Sequence, residues 1–300
     1  MKNISVWISA IRLRTLPLSI SGIIVAGCLA EYNGLFEPLI FILAIAATIS
    51  YQILSNLAND FGDYEKGTDN EDRIGPERAL QSGKISQDQM FHAIRMNILI
   101  CIVLTVLLIF TAFGSKHLLL ALLFFFLAFL SVRAAMKYTV GNNAYGYRGL
   151  GDVYVFIFFG LLSVIGCYIL FAKQFDHVTI LPAVTIGLLS AGVLNLNNMR
   201  DIHGDLKSNK ITLAVKFGSK KAKFYHYFLI IGGIIASFVF GVLYYVSPFN
   251  LLFFIAYIPL FLHLKRVKNI SDPKDFDPEL KKLALSTVLL ALLLGIGHLF

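Results

Sequence analysis

The sequence predicts an all-α, polytopic membrane protein, with nine transmembrane helices in a single domain over residues 1–300. Three observations carry that reading. Hydrophobic residues make up 57% of the chain and charged residues only 15%, whereas soluble domains are about 25% charged. The apolar residues gather into nine runs near the roughly 20-residue length that crosses a bilayer. Basic residues flank those runs almost entirely on one side. In hydrocarbon, backbone groups must be satisfied internally, which leaves helices or closed barrels, and the alternation of barrel strands is absent.

The first run, 16–32, follows Arg12 and Arg14 and lacks a small-residue cleavage site, so it reads as a retained span and not a signal peptide. The second, 36–58, leads into the polar stretch "SNLANDFGDYEKGTDNEDRIGPERALQSGKIS", from Ser55 to Ser86. Runs 94–113 and 117–136 follow, with Lys116 between them. The fifth, 151–172, comes after a connection rich in Tyr and Arg. The sixth, 178–199, ends in a second polar stretch, "NLNNMRDIHGDLKSNKITLAVKFG", from Asn195 to Gly218. Runs 224–246, 248–264 and 282–300 complete the bundle and leave no room for a separate soluble domain.

Of the 26 Lys and Arg residues, only Lys116 and Lys173 fall on the side opposite the N-terminus. The positive-inside rule then puts the N-terminus in the cytoplasm and, with an odd number of spans, the C-terminus outside. The net charge of +8 is thereby mostly a consequence of topology; a basic face also attracts an anionic substrate or acidic lipid head groups. No nucleic-acid partner is expected. Cys28, Cys101 and Cys167 stand singly in apolar runs, which argues against a thiolate metal site or a disulfide framework. No Gly-rich phosphate loop or serine nucleophile motif is present.

The two polar stretches mirror each other. Asn56, Asn59, Asp60 and Asp63 in the first correspond to Asn197, Asn198, Asp201 and Asp205 in the second, a weak internal repeat, and four spans between them bring both out on the cytoplasmic face. On a helix, residues four apart share a face, so Asn59 with Asp63, and Asp201 with Asp205, each form a polar edge. Facing edges would assemble hard oxygen donors suited to Mg²⁺, which keeps some waters and bridges carboxylates to substrate phosphates. Carboxylates at the border of a membrane bundle are costly and point to function.

Four stretches then carry a resemblance: "RLRTLPLSISG" from Arg12, "NDFGDYEKGTDNEDRIGPERALQSG" from Asn59, "YGYRGLGDVYVFIFFG" from Tyr145 and "NNMRDIHGDLKSNKITLAVKFG" from Asn197. With nine spans and aspartate clusters after the second and sixth, the chain resembles the UbiA superfamily of intramembrane prenyltransferases over essentially its whole length. Within it, the likeness is greatest to the branch that prenylates 1,4-dihydroxy-2-naphthoate in menaquinone biosynthesis. The family's first motif, N-D-x-x-D-x-x-x-D, and second, D-x-x-x-D, stand here as "NDFGD" and "DIHGD". Gly67 occupies the last aspartate position of the first motif and Asp69 follows two residues later, a shift typical of the naphthoate branch.

The resemblance implies a UbiA-type helical bundle in a bacterial cytoplasmic membrane, with its active site facing the cytoplasm. It implies Mg²⁺ held by Asn59, Asp60, Asp63, Asp69, Asp201 and Asp205, and a polyprenyl diphosphate whose tail enters the apolar bundle. Candidate phosphate contacts are Arg14, Arg73, Lys137, Arg148 and Lys210. Tyr138 would stabilise the allylic cation, and Tyr145, Tyr147, Arg148 and Asp152 would read the acceptor ring and its carboxylate, with Asp152 a possible proton acceptor. The expected reaction joins the prenyl group to dihydroxynaphthoate with loss of carbon dioxide and diphosphate, giving a demethylmenaquinol. Two other readings stand beside it: a UbiA-type enzyme with another aromatic acceptor, such as 4-hydroxybenzoate or homogentisate, and a transporter, whose carboxylates would be expected near mid-membrane and not at span ends.

Overall fold

The computed structural model describes residues 2–69 and 74–300, without the side chains of Lys2, Asn3 and Arg14. Among the described residues the chain is helical and contains no strand. The helices that position the site are α1 (Lys2–Ile11), α2 (Ser21–Tyr32), α3 (Pro38–Glu65), α4 (Gln87–Phe113), α5 (Leu118–Lys137), α6 (Gly151–Ala172), α7 (Ile180–Arg200), α8 (Ile202–Lys207), α9 (Leu213–Leu243), α10 (Phe254–Asn269) and α11 (Phe276–Ile296).

Seven of these, α3, α4, α5, the extended segment His177–Arg200 that contains α7, α6, α9, and Pro248–Asn269 that contains α10, are long and apolar enough to cross a membrane. The chain is an integral membrane protein, but the expected nine spans are not reproduced at the two ends. At the N-terminus, Ile4–Ile11 and Leu16–Tyr32 form a pair bent by 41°, which counts as an eighth span only if taken together. At the C-terminus, α11 carries Glu279, Lys281 and Lys282 in its first two turns, and this charge separates it from the plainly apolar helices.

Local chemistry explains where the site falls. Helix α3 starts with Pro38 at its first turn, where the missing N–H costs nothing. Its 28 residues reach about 42 Å at 1.5 Å per residue, more than the ~30 Å hydrocarbon core. The helix therefore runs on past the apolar stretch and carries Asn59, Asp60 and Asp63 as regular helical positions near its end. Ser86 and Gln89 cap α4 reciprocally, and Thr212 caps α9 by accepting from the Val215 N–H at 3.3 Å.

Helix α7 packs against α6, α9 and α11 and forms the inner wall of one half; α3, α4 and α5 form the other. The α6–α7 crossing is close because a Cβ on Gly160 would lie 2.6 Å from the Ala183 carbonyl oxygen and 2.7 Å from Gly187 Cα. From Phe156 to Gly166, α6 widens into π-helical turns. Tyr154, Phe158, Leu162, Gly166 and Leu170 all face one cavity, although a spacing of four in a regular helix would rotate by about 40° at each step. The wider turns offset that drift and keep the stripe on one face.

Candidate active site

A cavity of about 410 Å³ lies between the two halves of the bundle. Its apolar wall includes Ile23, Ala44, Phe124, Phe158, Phe159 and Leu162, and its polar end includes Asn59, Asp63, Asn197, Asp201, Asp205 and Lys210. The two aspartate motifs thus meet at one end of one cavity. Lys210 joins them: its Nζ donates to both Asp63 oxygens at 3.2 Å and lies 4.0 Å from Asp205 Oδ1. The Tyr147 hydroxyl donates to Asp63 Oδ1 at 2.7 Å and pairs with Thr68.

These contacts set the protonation of the groups around them. Burial opposes the charge on Lys210, but Asp63, Asp205 and Tyr147 outweigh it and hold the ammonium above its ordinary range. Burial, followed by the Asp63 charge, pushes the Tyr147 phenol up. Tyr138 is raised by burial and by Asp63, Asp152 and Asp205, so its ring faces the cavity as a neutral phenol. Burial lowers Lys66, whose Nζ sits 3.9 Å from the Tyr147 ring centroid.

The remaining sequence candidates divide. Asp60 is buried behind the cavity wall, beside the charges of Arg12 and Arg78, with the Ala79 backbone donating to it. Asp69 also lies behind the wall, 3.9 Å from Arg78 Nε. Tyr145 lines the cavity, donates to the Ala134 carbonyl at 3.0 Å and stacks on Tyr154 at 3.8 Å. Asp152 is buried but is not brought to the cavity; it bonds the Tyr225 hydroxyl on α9 instead. Arg148 and Lys137 are exposed and do not line the cavity, and the Arg148 carbonyl accepts from Lys216 Nζ at 2.7 Å. Arg73 and the Arg14 side chain lie outside the described residues.

Sequence reasoning overlooked two cations at the polar end, Arg12 and Arg78. Arg12 donates to Asn59 Oδ1 at 3.2 Å from a left-handed backbone at φ 57°, a conformation that costs energy in a non-Gly residue and tends to persist at functional sites. Both lay within the quoted stretches, but nothing in the spacing ranked them above Arg14 and Arg73.

The donor set fits a hard divalent cation. Asp60 Oδ1 is buried and has no hydrogen-bond partner among the described residues, an unmet acceptor that a cation would satisfy. The polar end of the cavity itself offers carboxylate and amide oxygens from Asn59, Asp63, Asn197, Asp201 and Asp205, the chemistry of Mg²⁺. Among the described residues no three carboxylates or imidazoles stand close enough to hold a metal unaided, so water or substrate oxygens would complete the shell of a bound ion.

An all-helical membrane bundle with two aspartate motifs converging on a deep apolar cavity defines a class, and the sequence agrees: residues 20–296 match the UbiA prenyltransferase family, to which the chain belongs. It is 40% identical to a 1,4-dihydroxy-2-naphthoate octaprenyltransferase of Escherichia coli, over 97% of this chain and 94% of that one. It is 38% identical to an enzyme of the same name from Haemophilus influenzae, over 99% and 96%. The fold matches a UbiA homologue of Aeropyrum pernix with a TM-score of 0.68 at 15% identity, covering 96% of this chain and 98% of that one. It also matches a homologue of Archaeoglobus fulgidus solved bound to GPP and Mg²⁺, with a TM-score of 0.62 at 15% identity, covering 96% and 99%.

Proposed function

We propose that the protein transfers a polyprenyl group from polyprenyl diphosphate to 1,4-dihydroxy-2-naphthoate, releasing carbon dioxide and diphosphate. The observation that carries the reading is a single cavity with a charged end and a long apolar wall, which suits an amphiphile with a polyanionic head. The naphthoate relatives, similar over nearly the full length of the chain, support the acceptor.

Charge arithmetic supports a metal requirement. Arg12, Arg78, Lys210 and Lys281 line the cavity against Asp63, Asp201 and Asp205, so the site's own charges nearly cancel. A diphosphate adds several negative charges, and a low-dielectric site tolerates them only with counter-charge. Mg²⁺, with Asn59, Asp60, Asp63, Asp201 and Asp205 as candidate donors and Asp69 behind them, would supply it and neutralise the charge that develops on the leaving group. Arg12, Arg78 and Lys210 hold the phosphates by charge-assisted hydrogen bonds. Tyr138 and the stacked Tyr145–Tyr154 pair present ring faces to the allylic cation and keep water from it. The electron-rich naphthoate ring then attacks, and its carboxylate leaves as carbon dioxide.

The one-sided basic residues support an odd number of spans, nine in this reading, with a cytoplasmic active site, and the Escherichia coli and Haemophilus influenzae relatives support residence in a bacterial cytoplasmic membrane. The acceptor is tested by offering dihydroxynaphthoate, 4-hydroxybenzoate and homogentisate together with Mg²⁺ and a polyprenyl diphosphate. Prenylated naphthoate as the dominant product supports the reading. Prenylated hydroxybenzoate that keeps its carboxylate overturns it.

A further inference from the structure

The Arg200 side chain is the largest wholly buried one among the described residues, and no part of the reaction described above uses it. It closes α7, next to the second aspartate motif. Its Nε donates to Asp201 Oδ1 at 2.9 Å and its Nη2 to Asp201 Oδ2 at 2.7 Å, a two-pronged grip on one carboxylate. Nη2 also donates to Asn197 Oδ1 at 2.9 Å. Nη1 turns the other way and pairs with Asp277, in the first turn of α11.

Asn197 and Asp201 both line the cavity. Every oxygen that these two side chains could give a cation is therefore engaged by one guanidinium. A planar fork fixes such partners in direction as well as distance. Its charge is shared with Asp277, whose side chain is 38% exposed and which does not line the cavity.

We propose that Arg200 is a positioning residue which orients Asp201 and Asn197 for the cation, and that Asp277 is the counter-ion that draws the guanidinium off Asp201 when the cation arrives. The inference rests on the reading of the polar end as a Mg²⁺–diphosphate site. In the resting state Arg200 neutralises Asp201 and keeps the motif from collapsing. As Mg²⁺ enters, positive charge repels the guanidinium, and the ion pair it already makes with Asp277 on a different helix retains it as its grip on Asp201 loosens. Without Asp277 the guanidinium has Asp201 as its main counter-charge and competes with the metal for it.

The test follows binding and not turnover. Full-length protein in detergent is titrated with Mg²⁺ while binding of a labelled, unreactive farnesyl thiodiphosphate is read. Asp277→Asn keeps an acceptor for Arg200 at a half-exposed position and should leave the melting temperature without metal close to wild type. Neighbouring charges in one network are coupled, so the Mg²⁺ midpoint should rise about tenfold, equivalent to about 1.4 kcal/mol. In an Arg200→Gln background the same Asp277→Asn change should have no further effect on the midpoint. An unchanged midpoint in Asp277→Asn overturns the inference even if Arg200→Gln fails to fold. A wild-type protein that binds the analogue equally well without Mg²⁺ instead overturns the metal reading itself, so the two failures are distinct.

Discussion

Lys210 reaches back 147 residues to bond both oxygens of Asp63 at 3.2 Å, tying the end of α3 to the connection between α8 and α9. Both partners are buried, so the pair is the electrostatic hinge of the site and not a surface contact. Removing one member of a buried pair strands the other charge, at a cost of about 3–5 kcal/mol. Lys210→Met should lower the unfolding free energy by that order, and Lys210→Met with Asp63→Leu by less than Lys210→Met alone. Thermal or denaturant unfolding of the two variants checks this, and equal losses would count against it.

Alkaline pH should loosen the same site. The Lys210 ammonium is held above its ordinary 10.5 by Asp63, Asp205 and Tyr147 against the opposing effect of burial, and the Tyr147 phenol is raised above 10.0 by burial and by Asp63. In both cases the folded protein holds the proton more tightly than the unfolded chain, so the stabilisation is complete below the unfolded value and is lost as pH rises toward the folded one. Melting temperatures should therefore be insensitive to these groups at neutral pH and fall above about pH 10. Tyr147→Phe should flatten part of that decline.

Tyr147→Phe also deletes a hydrogen bond to a buried carboxylate. Bonds to charged groups contribute about 1.5–3 kcal/mol, and the variant should lose stability of that order at neutral pH. Because the hydroxyl orients Asp63 at 2.7 Å, the Mg²⁺ concentration for half-maximal activity should rise as well. A stability loss with an unchanged Mg²⁺ requirement would confine Tyr147 to a structural role.

Chelation and carboxylate neutralisation should converge. Activity should vanish in excess EDTA and return with Mg²⁺. Asp63→Asn and Asp201→Asn should each lower turnover by roughly 10²–10³, the usual effect of losing one group that stabilises transition-state charge. Full activity in chelator would exclude the metal account.

Ala128 lines the apolar wall from α5. Ala128→Phe should fill tail space, so the KM for a long polyprenyl diphosphate should rise several-fold while that for dimethylallyl diphosphate changes little. Equal changes for both donors would place the tail elsewhere.

The site was partly legible in the sequence because some of its geometry is local. Four-residue spacing on α3 puts Asn59 with Asp63; Asp201 instead caps the break between α7 and α8, where its carbonyl accepts from the Asp205 N–H at 2.8 Å, and all four reach the cavity wall. Asp60, one position off that stripe, faces Arg12 and Arg78. Distant partners were not legible. Nothing in "YGYRGLGD" shows that Asp152 turns toward Tyr225 or that Arg148 stays exposed, because both depend on where α9 packs. The stripe on α6 was equally hidden: the π-helical turns that hold it together follow from packing against α7, not from a residue pattern. The end helices show the opposite limit, since hydropathy alone counted spans where the chain bends near Ile11 or carries charge near Glu279.

The most direct measurement follows the acceptor's own carboxylate. Purified protein is given Mg²⁺, a polyprenyl diphosphate and 1,4-dihydroxy-2-naphthoate labelled in its carboxyl carbon, and released carbon dioxide, diphosphate and lipid product are quantified together. The account predicts all three in equal amounts, with the label wholly in the gas and none in the prenylated ring. A prenylated product that retains the label, or diphosphate released without any prenylated naphthoate, would contradict it.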